Sequence, residues 1–434
     1  MEPMDTVRDT AGKILAPVMV EYVKWILSEA ERLGIRRIYF LARDGWMMYR
    51  AGCILAENRH PRIECRYLEC SRYALRLPSF ALLGKESLDQ IFLDGIDVTL
   101  GKILARAGLD RQEALGAAQA AGVSVPLDKI LTRQEIRRLK PLFFHCPPFW
   151  QMVESHAQKA LPGVCGYLRQ EGLFDDIRWA VADSGWTGSL QQTLKVLLEK
   201  EGFHREINGF YFGLYQLPKG VQENLYHAYY FPVRGKIRRK AYFSNSLFEC
   251  VFGAPRGMTE GYQRTKQGCF VPRYRPALGE NFPALHVVED AVVSLARQKA
   301  ERLPLSIRAW ELCPAGKLER LLAPFMGTPT LRQAHAFGSL TFTDDVLEEP
   351  GRELAPVPSG DPFLLSGGHL LTKVLAAAQL AGRPPGESAW MEGSVVRRGK
   401  HVRRQLAEIR LYKYALYLKK SVFRIITGKK RESS

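Results

Sequence analysis

Apolar positions recur at three- and four-residue steps from Pro17 to Leu33, where Val18, Tyr22, Ile26, Ala30 and Leu33 fall on one helical face and Gly34 follows as a stop. The period then shortens. Arg37 to Leu41 reads as a β-type run, Trp46 to Ala56 returns to a helical pattern, and Ile63 to Leu68 is a second strand candidate. Further on, Trp179 to Ala182 is a strand, Ser189 to Lys200 a helix ended by Gly202, and Gly209 to Leu214 another strand. This βαβ rhythm predicts an α/β protein with a Rossmann-like parallel sheet covered by helices. The stretch Leu83 to Gln170 breaks the rhythm. It is rich in Ala and Leu and helical by pattern, so it predicts a helical insertion between two sheet strands.

After about Tyr262 Pro and Gly become frequent and strands are hard to place. The pattern divides the chain into an α/β core domain over 1–265 with its insertion at about 83–170, and an irregular to helical extension over 266–347 that includes a helix at Ala291 to Arg302. Glu348 to Pro362 reads as a linker, Leu370 to Ala381 as a short helix followed by the breaker GRPPGES, and 393–434 as a basic amphipathic tail, so the C-terminal extension is mostly helical. There is no internal repeat.

Three predicted strands run into polar loops, and in an open parallel sheet ligands bind beyond the carboxyl ends of the strands. The loops are Ala42-Arg43-Asp44-Gly45, Cys70-Ser71-Arg72, and Asp183-Ser184-Gly185-Trp186-Thr187-Gly188-Ser189. In the third, Ser189 and Gln192 have capping-box spacing, which places a helix start at Ser189. A helix start offers free N–H groups and partial positive charge. Gly185 and Gly188 would let the backbone approach a bound group. Ser184, Thr187 and Ser189 add hydroxyls, and together these residues form an anion cradle. Asp183 would hold sugar hydroxyls or a magnesium ion. The plainer alternative is a tight β-to-α turn capped by Asp183.

Asp44 is the candidate acid or base beside Asp183, and Arg43 and Arg72 are candidate clamps for a phosphate or carboxylate. Each arginine has an equally ordinary role as an ion-pair partner of Asp44 or Asp183, and Ser71 has one as a helix cap. In SLFECVFGAPRGMTEGY, Glu249 sits among apolar residues, either as a ligand-site acid or as the partner of an arginine. His145 has no second His at ligand spacing and is expected to be structural.

The formal net charge of +17 suggests an acidic partner, but it is uneven. Gly393 to Ser434 holds 13 Lys and Arg against two Glu, so the basic signal belongs mainly to the tail. On a helix over Arg403 to Ile426, Leu411, Ala415, Leu418, Val422 and Ile425 share a face, with Arg403, Arg410, Lys413, Lys420 and Arg424 gathered nearly opposite. Two readings remain: a helix lying on an anionic membrane surface, or one packing its apolar face on its own domain. Nucleic acid is not expected, because the core has no basic aromatic stripe. The eight cysteines are scattered without a CxxC pair, no apolar run reaches 18 residues, and the start MEPMDTVRDTAGKI has no signal-peptide pattern. A cytoplasmic location is therefore expected, and on the membrane reading of the tail the protein lies on the inner face of the plasma membrane.

The first loop is similar to the D-x-D-G-T strand end of haloacid-dehalogenase-type phosphatases, with Ala42 where their nucleophilic Asp stands, so their covalent mechanism is not expected. The third loosely resembles the T-G-x-T phosphate loop of phosphoribosyltransferases, with Ser184 in place of the second acid and one residue fewer before Thr187-Gly188. Taken together, IYFLARDG, YLECSR, VADSGWTGSLQ and FECVFGAPRGMTEGY resemble the domain C-terminal to the dehalogenase-like unit in predicted hydrolases of bacterial surface-polysaccharide gene clusters. The resemblance covers roughly Asp5 to Tyr262, and Ala42 stands where the family has Ser. It implies a setting in polysaccharide or glycolipid assembly. The expected function is an enzyme or enzyme-derived module binding a phosphorylated sugar or nucleotide, with Mg2+ as cofactor. The alternative is a non-catalytic, membrane-peripheral partner of glycosyltransferases.

Overall fold

The structure, a computed structural model, describes residues 3–93, 95, 98–276, 279–342, 352–357 and 388–429. The predicted short helix at Leu370 to Ala381 and most of the predicted linker lie outside the described residues. Five parallel strands form one sheet in the order β2-β1-β3-β4-β5, with β1 Arg37–Leu41, β2 Glu64–Leu68, β3 Trp179–Trp186, β4 Asn208–Leu214 and β5 Tyr226–Phe231. The fold is thus the α/β, Rossmann-like parallel sheet that the sequence pattern predicts.

Each strand alternates its side chains between two helical layers. Ile38, Phe40, Ala180, Ala182, Phe210 and Phe212 face one way, against the helices Ala16–Arg32, Gly45–Ala56 and Phe282–Ala300. Tyr39, Leu41, Leu68, Trp179 and Val181 face the other way, against Ser189–Lys200 and the end of Pro147–Gln170. The turn into β1 follows from Gly34. At a φ of 69° it ends the preceding helix with paired bonds, from Gly34 N to Glu31 O and from Ile35 N to Ala30 O, and it aims the chain at the sheet.

The insertion between β2 and β3 has its own apolar cluster, which includes Ile103, Leu104, Phe143, Phe149 and Val153. The helix Pro147–Gln170 joins the two cores. Its first half packs inside the insertion and its second half, through Val164, Tyr167 and Leu168, beneath the sheet.

Several sequence boundaries need correction. Helical structure begins at Pro3, ahead of the predicted Pro17, and the insertion's first helix begins at Arg72. β3 runs on to Trp186, so Asp183 lies within the strand. β5 was missed. The boundary at 265 falls at the turn of an antiparallel hairpin, β6 Thr259–Arg264 with β7 Phe270–Tyr274. The helix beyond it starts at Phe282, well before the predicted Ala291, and buries Val288, Val292 and Ala296 in the main core. The extension is therefore packed onto the same body.

The tail helix Val402–Lys429 docks by the face opposite Leu411, Ala415 and Leu418, which corrects the alternative in which the apolar face packs on the protein's own domain. Leu406 and Ile409 are buried with Ala334, Val395 and Val396. Tyr417 stacks on Tyr215 at 5.4 Å, and the Arg410 guanidinium lies 5.4 Å from the centre of the Tyr242 ring. Lys413, assigned above to the basic outer face, points inward and donates to Glu392 at 2.6 Å, with the side chains only 10% and 2% exposed. This ion pair fixes the rotation of the helix about its own axis.

Removing one member of a buried pair strands the other charge, at a cost of about 3–5 kcal/mol, whereas replacing both by apolar residues is close to neutral. Glu392→Ala is therefore expected to lower the urea midpoint sharply, and Glu392→Met combined with Lys413→Met to restore most of it.

Candidate functional site

The strand order reverses between β1 and β3, which pair in register from Arg37 and Trp179 to Phe40 and Ala182. The chain leaves β1 toward one edge of the sheet and β3 toward the other, so a crevice opens between their carboxyl ends. A cavity of about 240 Å3 occupies this place. It is lined by Arg43 and Asp44 after β1, Ser71 and Arg72 after β2, Asp183, Ser184, Gly185, Thr187 and Ser189 from β3 onward, and Glu249 from the helix Asn245–Phe252. Of the residues singled out from the sequence, Gly188 alone is absent from the lining.

Ser184 links the two acids. Its hydroxyl donates to Asp44 through a short hydrogen bond, and its backbone N–H donates to Asp183 Oδ1 at 2.9 Å. Burial is the main cause pushing Asp44 up to about 6. The charge of Asp183 adds to this, while the Ser184 hydroxyl and the Arg43 and Arg72 cations oppose it. Burial likewise pushes Asp183 up to about 7. Arg72 opposes this shift, Glu249 adds to it, and the N–H groups of Ser184 and Gly185 pull it back. Two carboxyl groups thus titrate near neutrality at the tip of the sheet, a condition suited to acid–base work. Glu249 is bound on two sides, accepting from the Trp186 indole at 2.5 Å and facing Arg72 at 3.8 Å. The arginine-partner reading of Glu249 is the one its contacts match.

The lining is also rich in cations, and sequence reasoning missed part of this cluster. Arg76 lies one helical turn after Arg72, so both side chains leave the helix Arg72–Leu83 on the same side. It donates to the Ser189 hydroxyl at 2.9 Å, and its Nε is buried without a hydrogen-bond partner. Burial first, then the neighbouring Arg72 and Arg106 cations, push the Arg76 guanidinium down to about 9. It keeps its charge at neutral pH. The insertion adds Phe80, Gln90 and Arg106 to the lining, and the side-chain oxygen of Gln90 is also buried and unpaired. The i, i+4 step from Arg72 would have pointed to Arg76. Nothing in the sequence pattern marks Gln90 or Arg106.

The glycines and the expected capping box have structural explanations in place of the ligand roles read from the sequence. A Cβ on Gly185, whose φ is 111°, would lie 2.5 Å from the Gly213 carbonyl oxygen, so this glycine permits the close approach of β3 and β4. A Cβ on Gly188 would meet the Tyr226 ring at 2.6 Å. Gly188, in the left-handed conformation, is itself the residue before the helix, and no side chain caps that end. Ser189 is the first helical residue, and its hydroxyl serves Arg76 and Thr187. Ser71 caps its helix by accepting from Ala74 N at 2.9 Å and donates to Thr259 O at 2.6 Å. Its hydroxyl is thereby engaged in structure, although the residue touches the cavity.

Among the described residues no group of three or more His, Cys, Asp or Glu could hold a metal ion. The paired carboxyls of Asp44 and Asp183 fit a magnesium ion only in the way that ion usually binds, with phosphate oxygens and water filling most of its shell. No protein-family model matches the chain, and a search of curated proteins found no match.

The acid pair makes a signed prediction about stability. Both folded-state values are raised above the ordinary 3.8, so the folded protein binds more protons than the unfolded chain between about pH 4 and 7. The destabilisation is absent below that window and complete above it, opposite to the usual behaviour of carboxylates. Asp183→Asn is expected to raise the urea midpoint at about pH 8 and to leave it unchanged at about pH 4. An equal shift at both pH values would show that Asp183 ionises normally. Gly185→Ala, in contrast, should destabilise at every pH by about 1–3 kcal/mol or more.

Proposed function

We propose that the protein is an enzyme acting on a small phosphorylated ligand, a sugar phosphate in preference to a complete nucleotide sugar, bound in the cavity that Asp44 and Asp183 share with a cluster of guanidinium groups. The observation that carries this reading is that one cavity gathers both acids and arginines. Asp44, Asp183 and Glu249 line it together with Arg43, Arg72, Arg76 and Arg106. With Asp183 raised to about 7, the lining is net positive at neutral pH, which suits a phosphate dianion.

Arg72 and Arg76 supply planar, paired donors for phosphate oxygens, and Thr187 and Ser189 supply hydroxyls. Asp183 takes sugar hydroxyls, and Asp44, already hydrogen-bonded to Ser184, moves the proton. A magnesium ion carried in with the phosphate would neutralise the acid pair and polarise a phosphoryl oxygen. Asp44 and Asp183 are the residues that would hold it. The size of the cavity supports the choice of ligand. At about 240 Å3 it is smaller than the roughly 300–1,000 Å3 typical of drug-sized sites, so a nucleotide would extend outside. A setting in surface-polysaccharide or glycolipid assembly agrees with such a ligand.

Thermal unfolding with hexose phosphates, uridine diphosphate sugars and inorganic phosphate, each with and without magnesium, tests the reading. At about 100 times its dissociation constant a true ligand adds roughly 2.7 kcal/mol of stability. Arg76→Gln is expected to abolish this shift for every phosphate compound. Asp44→Asn should keep the shift while removing turnover. Retention of the shift in Arg76→Gln would end the phosphate assignment. Unchanged turnover in Asp44→Asn would favour the non-catalytic alternative, a partner of glycosyltransferases.

A further inference from the structure

Among the described residues, the docked tail helix leaves one face without a protein neighbour. Leu411 is 61% and Leu418 is 49% exposed, Ala407 and Ala415 are exposed beside them, and these four positions form a single stripe. The opposite side of the helix carries its attachments: Leu406 and Ile409 in an apolar cluster, Lys413 on Glu392, and Tyr417 on Tyr215. The stripe therefore cannot turn inward without breaking a buried ion pair. Large apolar side chains held outward on a rigid helix are a docking surface that needs an occupant.

Charge identifies that occupant. Gly393 to Ser434 carries 13 Lys and Arg against two Glu, and Arg403 and Arg404 are exposed at the helix start. In the sequence, Val422 and Ile425 continue the period of the stripe, and further Lys and Arg follow in the same segment. Exposed apolar residues on a segment with so large an excess of cations suit a helix lying in the boundary of an anionic bilayer. Among the described residues no helix is long and apolar enough to cross a membrane. We infer that Leu411, Ala415 and Leu418 form a membrane-docking face for anionic lipid, and that the Lys413–Glu392 pair holds this face outward.

Co-sedimentation of the full-length protein with phosphatidylglycerol–phosphatidylethanolamine vesicles tests the inference, with phosphatidylcholine vesicles as the neutral control. The wild type should pellet with the anionic vesicles only, and less so as salt is added. Each leucine buried in lipid contributes about ten-fold or more to partitioning, so Leu411→Ser with Leu418→Ser should weaken binding about a hundred-fold. Both side chains are exposed, so the double variant should melt at the wild-type temperature. Wild-type protein that stays in the supernatant, or a double variant that pellets like the wild type, would overturn the proposal. A dimer in sedimentation velocity that the double variant abolishes would instead assign the stripe to a second copy of the chain.

Discussion

Everything at the candidate site depends on the parallel pairing of β1 with β3. These two strands are central and buried, and they are the only adjacent pair of the five-stranded sheet from which the chain departs in opposite directions. Their pairing brings Asp44, just after β1, and Asp183, within the last half of β3, to one cavity, close enough for the charge of one to raise the other. Burial then keeps both protons available near neutrality. The arrangement is electrostatically uncomfortable in the resting protein, and Ser184, Arg43 and Arg72 relieve it only in part. Strain of this electrostatic kind is characteristic of sites that await a ligand.

How much of this could be read from the chain alone follows from which forces are local. β1, β3 and β4 were visible because a buried parallel strand is a short apolar run, and a polar residue at its end stands out. Asp44, Arg72 and Asp183 were found in this way. β5 was not, because the link from β4 is a short loop with a single helical turn at Glu223–Leu225, and YHAYYF lacks the aliphatic run that marks the central strands. The helix starts at Ser189 as read, but the capping box is not formed, because left-handed Gly188 holds the capping position and has no side chain to offer. Gln90 and Arg106 carry no local signal, and Arg76 only its i, i+4 step from Arg72. An arginine on a helix is ordinary until the tertiary fold buries it beside two others.

The tail shows the same limit from another side. Periodicity correctly grouped Leu411, Ala415 and Leu418, but it could not say which way the group would face. Burying Lys413 against Glu392 reversed the simple expectation that apolar residues go in and charged residues out. One specific pair, together with Ile409 and two aromatic contacts, outweighed the amphipathic pattern.

The cavity is also a seam between two cores. Asp44 and Asp183 belong to the strands and loops of the main body, while Gln90 and Arg106 belong to an insertion that packs around its own cluster of Ile103, Phe143 and Phe149. The chain enters and leaves this insertion between β2 and β3 without interrupting any strand pairing. A lineage could therefore lengthen, shorten or exchange the insertion while the sheet went on presenting the same two carboxyl groups. In such a protein reactivity and selectivity are inherited from separate stretches of sequence, and each is free to change at its own pace.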